Sequence, residues 1–232
     1  MATINASKWS RILITNQTTH AGARDASTGT SVVNNSVNLS TTLLQYRKAP
    51  GRRIATTYNI TRAFYYFDTS GITTTVNNAS VKIAGSSTGN VGSPQVILIK
   101  STAFSGDGST NAVVGEFGNV TFNTSYSNAV TSWSTSAINT LNLKSQARTD
   151  IENNDYFICA VIEYEHDFSD SEPSTNKTSA AGVNYNTVAY LEHDAAPTGP
   201  ANVGQFNVIA ASNIDQINPI RYANIAKINT ID

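Results

Sequence analysis

The protein has 232 residues, of which only 13% are charged, and its formal net charge at pH 7 is −1. A chain of this length suits one β-rich domain, or one domain with arms, and it has no basic field to attract nucleic acid or an anionic membrane. Its single cysteine, Cys159, excludes an intrachain disulfide, so the fold must depend on its core alone.

The N-terminal segment, residues 1–40, is polar and rich in threonine and asparagine. Its anchors are Trp9 and a predicted strand at Arg11–Thr15. We expect this segment to be an extended arm that crosses a neighbouring subunit or drapes over its own sandwich. Its first residues lack the basic region and long apolar run of a secretory signal. We therefore expect the protein to be made and folded in a cytoplasm.

Residues 41–211 are predicted to form short strands separated by turns. In chain order the predicted strands are 42–46, 61–68, 79–85, 95–100, 111–117, 138–143, 155–168, 187–193 and 205–211. The apolar run within 95–100 predicts a strand buried on both faces, and only residues 145–154 have a helix-friendly composition. Because strands and helices do not alternate, we predict an all-β fold, an antiparallel β-sandwich of jelly-roll type, followed by a tail at 212–232.

One segment of the predicted sandwich carries a recognisable pattern. Arg62 is followed by Phe67-Asp68-Thr69-Ser70-Gly71-Ile72 and then by Ala79-Ser80-Val81-Lys82-Ile83. This pattern resembles the jelly-roll domains related to carbohydrate-binding modules, which occur in secreted bacterial proteins and in phage virion proteins. The resemblance covers about residues 58–191, and it implies a strand, a short helical turn and a long central strand over 138–167.

The residues of this pattern have a structural interpretation. The Asp68 carboxylate can cap the backbone of the turn, while Ser70 and Gly71 supply the turn conformation. Arg62 is expected to pack across its strand or to pair with an acid. We favour this interpretation over a role in ligand binding, because fold alone does not imply function.

Two tripeptides place a histidine between two acids, Glu165-His166-Asp167 and Glu192-His193-Asp194. Such residues can form a metal site or an acid–base pair. In a strand, however, neighbouring side chains point to opposite faces, so neither acid beside His166 can orient it. We therefore expect both tripeptides to be polar strand ends at the rim of the sandwich, and we predict no metal, cofactor or catalytic residue.

The chain carries an acidic run, Glu163, Glu165, Asp167, Asp170 and Glu172, which begins inside the predicted strand 155–168. They could offer oxygen ligands to calcium, but the chain has no Asp-x-Asp-x-Asp-Gly loop. A solvated acidic edge that discourages unwanted strand pairing is the preferred interpretation. Cys159 alternates with Phe157 and Val161, so it is predicted to be a small buried hydrophobic residue.

A carbohydrate-binding role stays open, because sugars stack on exposed aromatic rings. The candidate rings are Tyr65, Tyr66, Tyr126, Trp133, Tyr185 and Tyr190. Strand alternation implies that one of Tyr65 and Tyr66 points outward, where it would contact another chain or element.

The tail contains one pattern twice, since Asn213-Ile214-x-x-Ile217-Asn218-x-Ile220 recurs as Asn224-Ile225-x-x-Ile228-Asn229-x-Ile231. Steps of three residues suit neither a strand nor a helix, and Pro219 blocks one continuous helix. We predict two small apolar ridges that dock on the sandwich or on a partner subunit. A final strand of the same domain is the alternative. The candidate assembly residues are Ile214, Ile217, Ile220, Ile225, Ile228, Ile231 and Trp9.

The second copy of the pattern, residues 225–231, resembles the short I-x-K-I-N-G-I segments near the ends of phage structural proteins, with Thr230 in place of glycine. The resemblance implies a non-enzymatic virion protein, and a capsid decoration protein bound through its arm and tail is the favoured interpretation. Its expected partners are other virion proteins, with the chain as a homo-oligomer on a symmetric lattice. The alternative is a carbohydrate-binding module, or a tail or fibre component that contacts host-surface glycans.

Overall fold

The computed structural model describes residues 1–34, 41–50, 55–87, 90–184 and 187–194. These residues lie in a compact unit that spans residues 1–194. Its strands are Ala2–Asn5 (β1), Lys8–Gln17 (β2), Ser31–Asn34 (β3), Thr41–Pro50 (β4), Thr56–Asp68 (β5), Ala79–Ala84 (β6), Val96–Ser101 (β7), Val120–Ser125 (β8), Ile138–Asn142 (β9), Tyr156–Glu163 (β10), Lys177–Val183 (β11) and Tyr190–His193 (β12).

Helical segments are short in the described ranges. They are His20–Arg24 (α1), Ser145–Asn153 (α2), 3-10 turns at Phe104–Gly106 and Val114–Glu116, and one turn of π-helix at Tyr164–Phe168. None of the described helices has the length and apolar character that crossing a lipid bilayer requires. The predicted helix at 145–154 is confirmed as α2.

The strands form two antiparallel sheets, which confirms the predicted antiparallel β-sandwich, while its jelly-roll topology stays a prediction. The smaller sheet has four strands in the order β1-β12-β6-β9. In the larger, eight-stranded sheet β2 pairs along one edge of the long strand β5, and β4 and β10 pair in turn along its other edge. Beyond them, β3 pairs with β2, β11 with β4, and β7 with β10 and β8.

Both faces of the larger sheet are covered by apolar side chains. Tyr65 and Phe67 of β5 belong to the core between the two sheets. Because side chains alternate along a strand, Phe64 points to the opposite face and joins a second core with Phe104 and Phe117. Strands β7 and β10 are also buried on both faces, which confirms the prediction for 95–100.

The N-terminal segment differs from the extended arm that we expected. β1 pairs with β12 in the smaller sheet, and β2 pairs with β5 over most of its length in the larger one. The physical reason is that Ser10, Ile12 and Ile14 form one buried face of β2, and this face gains free energy by leaving water. The expected domain boundaries at 40/41 and 211/212 lie outside the described residues.

Two other strand predictions are wrong in part. Residues 111–117 contain a 3-10 turn, because the Glu116 carboxylate accepts the backbone N–H groups of Ser105 at 2.7 Å and of Val113 at 3.0 Å and holds a loop closed. The predicted strand 155–168 ends at Glu163, where the π-helical turn begins. The predicted strand 205–211 lies outside the described residues.

Candidate functional site: the turn after strand β10

The π-helical turn at the end of β10 is held by the side chain of Glu163. Its Oε2 atom accepts the backbone N–H of His166 at 2.7 Å and that of Asp167 at 3.2 Å. Because the chain is helical here, the strand alternation behind our expectation for this tripeptide does not apply. His166 and Asp167 are both buried, so the prediction of a polar strand end at residues 165–167 is wrong.

Asp167 forms a fully buried ion pair with Arg62 of β5. The guanidinium donates from Nε to Oδ2 at 2.9 Å and from Nη2 to Oδ1 at 2.6 Å, and both side chains are 0% exposed. Nη1 of Arg62 donates to the carbonyl oxygen of Phe117 at 3.0 Å, and Nη2 also donates to that of Arg24 at 2.6 Å. The prediction that Arg62 pairs with an acid is confirmed, and the pair joins β5, α1, a 3-10 turn and the π-helical turn.

His166 is oriented by a backbone carbonyl. Its Nδ1 atom lies 2.7 Å from the carbonyl oxygen of Ser171. Because a carbonyl oxygen only accepts, Nδ1 carries the hydrogen, and in the neutral ring Nε2 keeps a free lone pair. This Nε2 atom lies 3.7 Å from Oε2 of Glu165.

Glu163, Glu165 and His166 form one group of potential ligands, because one ligand atom from each lies within 4.8 Å of the others. Glu165 is half-buried and accepts hydrogen bonds from Gln95 at 2.7 Å and from Lys177 at 3.1 Å. Burial raises the pKa of the Glu163 carboxyl, since a charged carboxylate is poorly solvated there.

A second histidine lies close to this group. His20 contacts the Tyr46 hydroxyl through Nδ1 at 3.0 Å and Asp170 through Nε2 at 3.2 Å. The Tyr46 ring centroid is 4.7 Å from that of His166, and burial raises the pKa of the Tyr46 hydroxyl. The two histidines therefore flank one buried tyrosine.

The acids after β10 do not form the uniform solvated edge that we expected. Glu163 and Asp167 are 0% exposed and hydrogen-bonded within the fold, because Glu163 ends β10 as the cap of the helical turn and Asp167 of that turn faces Arg62. Asp170 and Glu172 are exposed, as predicted, and Glu172 accepts hydrogen bonds from Lys48 at 2.7 Å and from the Tyr58 hydroxyl. The hydrogen bond from Lys48 lowers the pKa of Glu172.

The second tripeptide lies at the end of β12, as predicted, although His193 is buried. Glu192 forms an ion pair with Lys82 at 3.1 Å, and His193 Nδ1 lies 2.9 Å from the carbonyl oxygen of Asp194. The Asp194 carboxylate accepts the backbone N–H of Asn78 at 3.0 Å. Within the described ranges, the ligand group at Glu163 does not include any of these residues.

The remaining candidate residues lie elsewhere. Trp9 is half-buried on β2 and lines, with Tyr65 and Val188, a pocket of about 10 Å³, which is room for one water molecule. The isoleucines from Ile214 to Ile231 lie outside the described residues. Cys159 is buried in the core between the sheets and burial raises the pKa of its thiol, which confirms the prediction of a buried hydrophobic residue.

The aromatic candidates for sugar stacking are mostly inside the protein. The rings of Tyr65, Tyr126 and Trp133 are buried, and Tyr66 and Tyr190 are half-buried. Tyr185 lies outside the described residues. Tyr66 is the outward member of its pair, as alternation predicted, and it stacks on Tyr156 with 6.3 Å between ring centroids. In the part of the chain that the structure describes, no aromatic ring is fully exposed.

Comparison with known proteins adds no family: no protein-family model matches the chain, and no curated protein matches it. Function must therefore follow from the residues and contacts themselves.

One feature of the sequence marks the ligand group. Glu163 and His166 are three residues apart, and Glu163 and Asp167 are four apart, which is the spacing of one helical face. The apolar run of β10 ends at Glu163, and the residues that follow, Tyr-Glu-His-Asp, are not β-branched. The strand pattern therefore ends where this composition changes, and residues 164–168 form a helical turn instead.

Proposed function

We propose that the protein is a non-enzymatic structural component of a phage virion, namely a capsid decoration protein with a sandwich of jelly-roll type. The observation that carries this proposal is the duplicated isoleucine and asparagine pattern in residues 213–231. Two short apolar ridges cannot bury their own surface. An assembled particle supplies a repeated surface that can cover them, with the chain as a homo-oligomer on a symmetric lattice.

The contacts around the π-helical turn support a role as a rigid scaffold. Arg62 and Asp167 are buried against each other, and Glu163 caps backbone N–H groups. A general acid or base must instead reach a substrate with its proton. In the described residues these charged groups tie one segment of chain to another, which suits a protein that keeps its shape on a particle.

Particle binding by two variants tests the proposal. We expect the full chain to co-sediment with assembled capsids of the phage that encodes it at a fixed ratio per capsid subunit. A variant that ends at residue 211, and the triple variant Ile225→Ser, Ile228→Ser, Ile231→Ser, should lose this binding. Lys227→Gln lies between the same isoleucines and serves as the matched control, because it leaves the apolar ridge intact.

The proposed role of the tail would be refuted if the shortened variant bound capsids with the ratio of the full chain. Circular dichroism of each variant shows whether the sandwich is still folded, since residues 1–194 contain all of the strands described here.

Glycan binding is the second candidate, and the half-buried stack of Tyr66 on Tyr156 is the observation that favours it. Binding of the full chain to a glycan array, lost in Tyr66→Ala and kept in Tyr190→Ala, would support this candidate over decoration. The absence of any fully exposed ring among the described aromatic residues is the reason for ranking it second.

A further inference from the structure

Two polar atoms at the end of β10, on residues three positions apart, are buried without hydrogen-bond partners in the described structure. They are Oε1 of Glu163 and Nε2 of His166. Glu163 is 0% exposed and His166 is 7% exposed. Buried polar groups in native proteins nearly always have a partner, so two exceptions three residues apart need an explanation.

The surroundings of both atoms prepare them as ligands. The other oxygen of Glu163 is occupied by the N–H groups of His166 and Asp167, which fixes the carboxylate and leaves Oε1 free. The Ser171 carbonyl fixes the tautomer of His166, so its Nε2 atom presents a lone pair. A histidine whose other nitrogen donates to a carbonyl is the usual arrangement of a metal ligand.

We propose that Glu163, Glu165 and His166 bind one divalent transition-metal ion, with Zn²⁺ as the simplest case. One imidazole and two carboxylates suit zinc and its first-row neighbours, whereas calcium takes six to eight oxygen ligands. This inference goes beyond the role on a virion and does not depend on it.

The geometry of the group is close to what such an ion needs. Tetrahedral bonds of about 2.0–2.2 Å place ligand atoms roughly 3.3–3.6 Å apart. His166 Nε2 and Glu165 Oε2 are 3.7 Å apart, and no pair in the group exceeds 4.8 Å. Glu165 is the half-exposed member, and its side chain can move inward by the small distance that remains.

Lys177 is the competitor for this position. Its ammonium lies 3.1 Å from Oε2 of Glu165, where its charge opposes a bound cation. The Lys177 side chain is 39% exposed, so it can turn into solvent when an ion binds. The ion would join the last residue of β10 to the π-helical turn and, through His166, to the backbone at Ser171.

Metal titration of the full chain tests the site. The protein is first freed of metal with a chelator, then titrated with Zn²⁺ by calorimetry and with Co²⁺ by visible absorption. We expect one ion per chain, a Co²⁺ spectrum of a four-coordinate site and a higher Tm with Zn²⁺. Mg²⁺ and Ca²⁺ should not compete. Mutating a residue that only orients a metal ligand typically weakens metal affinity about 10–100-fold. Glu163→Gln and His166→Gln change the ligands themselves, so each should weaken binding by at least about a hundredfold.

The second tripeptide provides matched controls. Glu192→Gln and His193→Gln make the same chemical changes outside the ligand group and should leave the affinity unchanged, while Lys177→Gln should keep or increase it.

Glu165 caps no backbone N–H, so Glu165→Gln should fold even if Glu163→Gln does not, and it too must weaken binding. The proposal is overturned if the wild type binds neither Zn²⁺ nor Co²⁺ at one ion per chain. In that case a buried water molecule, or a proton shared by Glu163 and His166, occupies the space between the two side chains. Wild-type affinity in His166→Gln or Glu165→Gln would equally overturn it.

Discussion

Replacing Asp167 by asparagine removes the charge that balances Arg62 in the second core while nearly preserving the shape of the side chain. Both partners are 0% exposed and joined by two hydrogen bonds of 2.9 and 2.6 Å. Removing one member of such a pair leaves a buried charge uncompensated, at a cost of about 3–5 kcal/mol. For a chain of this size each kcal/mol lowers Tm by about 2–4 °C, so we expect a decrease of roughly 6–20 °C.

Asp25→Asn is the matched control for this prediction. Asp25 forms an ion pair of 2.6 Å with Arg24, but its side chain is 55% exposed, and pairs of that kind contribute less than about 1 kcal/mol. Urea unfolding of metal-free protein, followed by tryptophan fluorescence and by circular dichroism, gives the free energy of unfolding for each variant. A loss in Asp167→Asn that lies within about 1 kcal/mol of the loss in Asp25→Asn would refute the reasoning.

Two further predictions concern the loops and the pH dependence of stability. Gly92→Ala should destabilise the protein by more than about 2 kcal/mol in urea unfolding, because Gly92 has φ +73° and its added Cβ would lie 2.2 Å from the carbonyl oxygen of Thr178. Gly71→Ala should change stability little, since nothing lies within 4 Å of that position, and an equal loss in the two variants would contradict the prediction. Burial opposes ionisation of Asp150, but hydrogen bonds from Lys100 and other donors outweigh it and lower its pKa. The stability from this shift is therefore present above the unfolded pKa of about 3.9 and is lost as pH falls through the lower folded value. Asp150→Asn should lower Tm at pH 7, and the difference from wild type should shrink below about pH 4; a difference that is constant from pH 7 to pH 3 would contradict this.

The strands of the sandwich were largely predictable where burial imposes a pattern. β5, β7 and β10 are apolar over long runs, and the predicted strand at 79–85 is confirmed as β6, with Val81 and Ile83 in the core. The prediction for the turn at Asp68 was also correct, since its carboxylate accepts from the backbone N–H and the hydroxyl of Ser70. In these cases the local sequence and the tertiary contacts favour the same structure.

The strands that were missed are β1, β3, β8 and β11. They are short or rich in serine, threonine, asparagine and alanine, and the pairing of their backbones with neighbouring strands holds them in the sheets. The ligand group was missed for a related reason. Its geometry depends on the Ser171 carbonyl, which has no signature in the sequence, and on the Glu163 cap, whose helical spacing lies in a segment predicted to be a strand.

The pairing of β1 with β12 also determines how the protein can be handled. Ala2 pairs with His193, so the first residues of the chain and residue 194 lie at the same end of two neighbouring strands in the smaller sheet. A tag fused to Met1 therefore stands beside the end of β12 and crowds that end of the smaller sheet. The open turn at Gly71, where nothing lies within 4 Å of an added Cβ, is the better position for a label. The same adjacency makes a short linker from residue 194 to Met1 a feasible route to a circular permutant with its new ends at that turn.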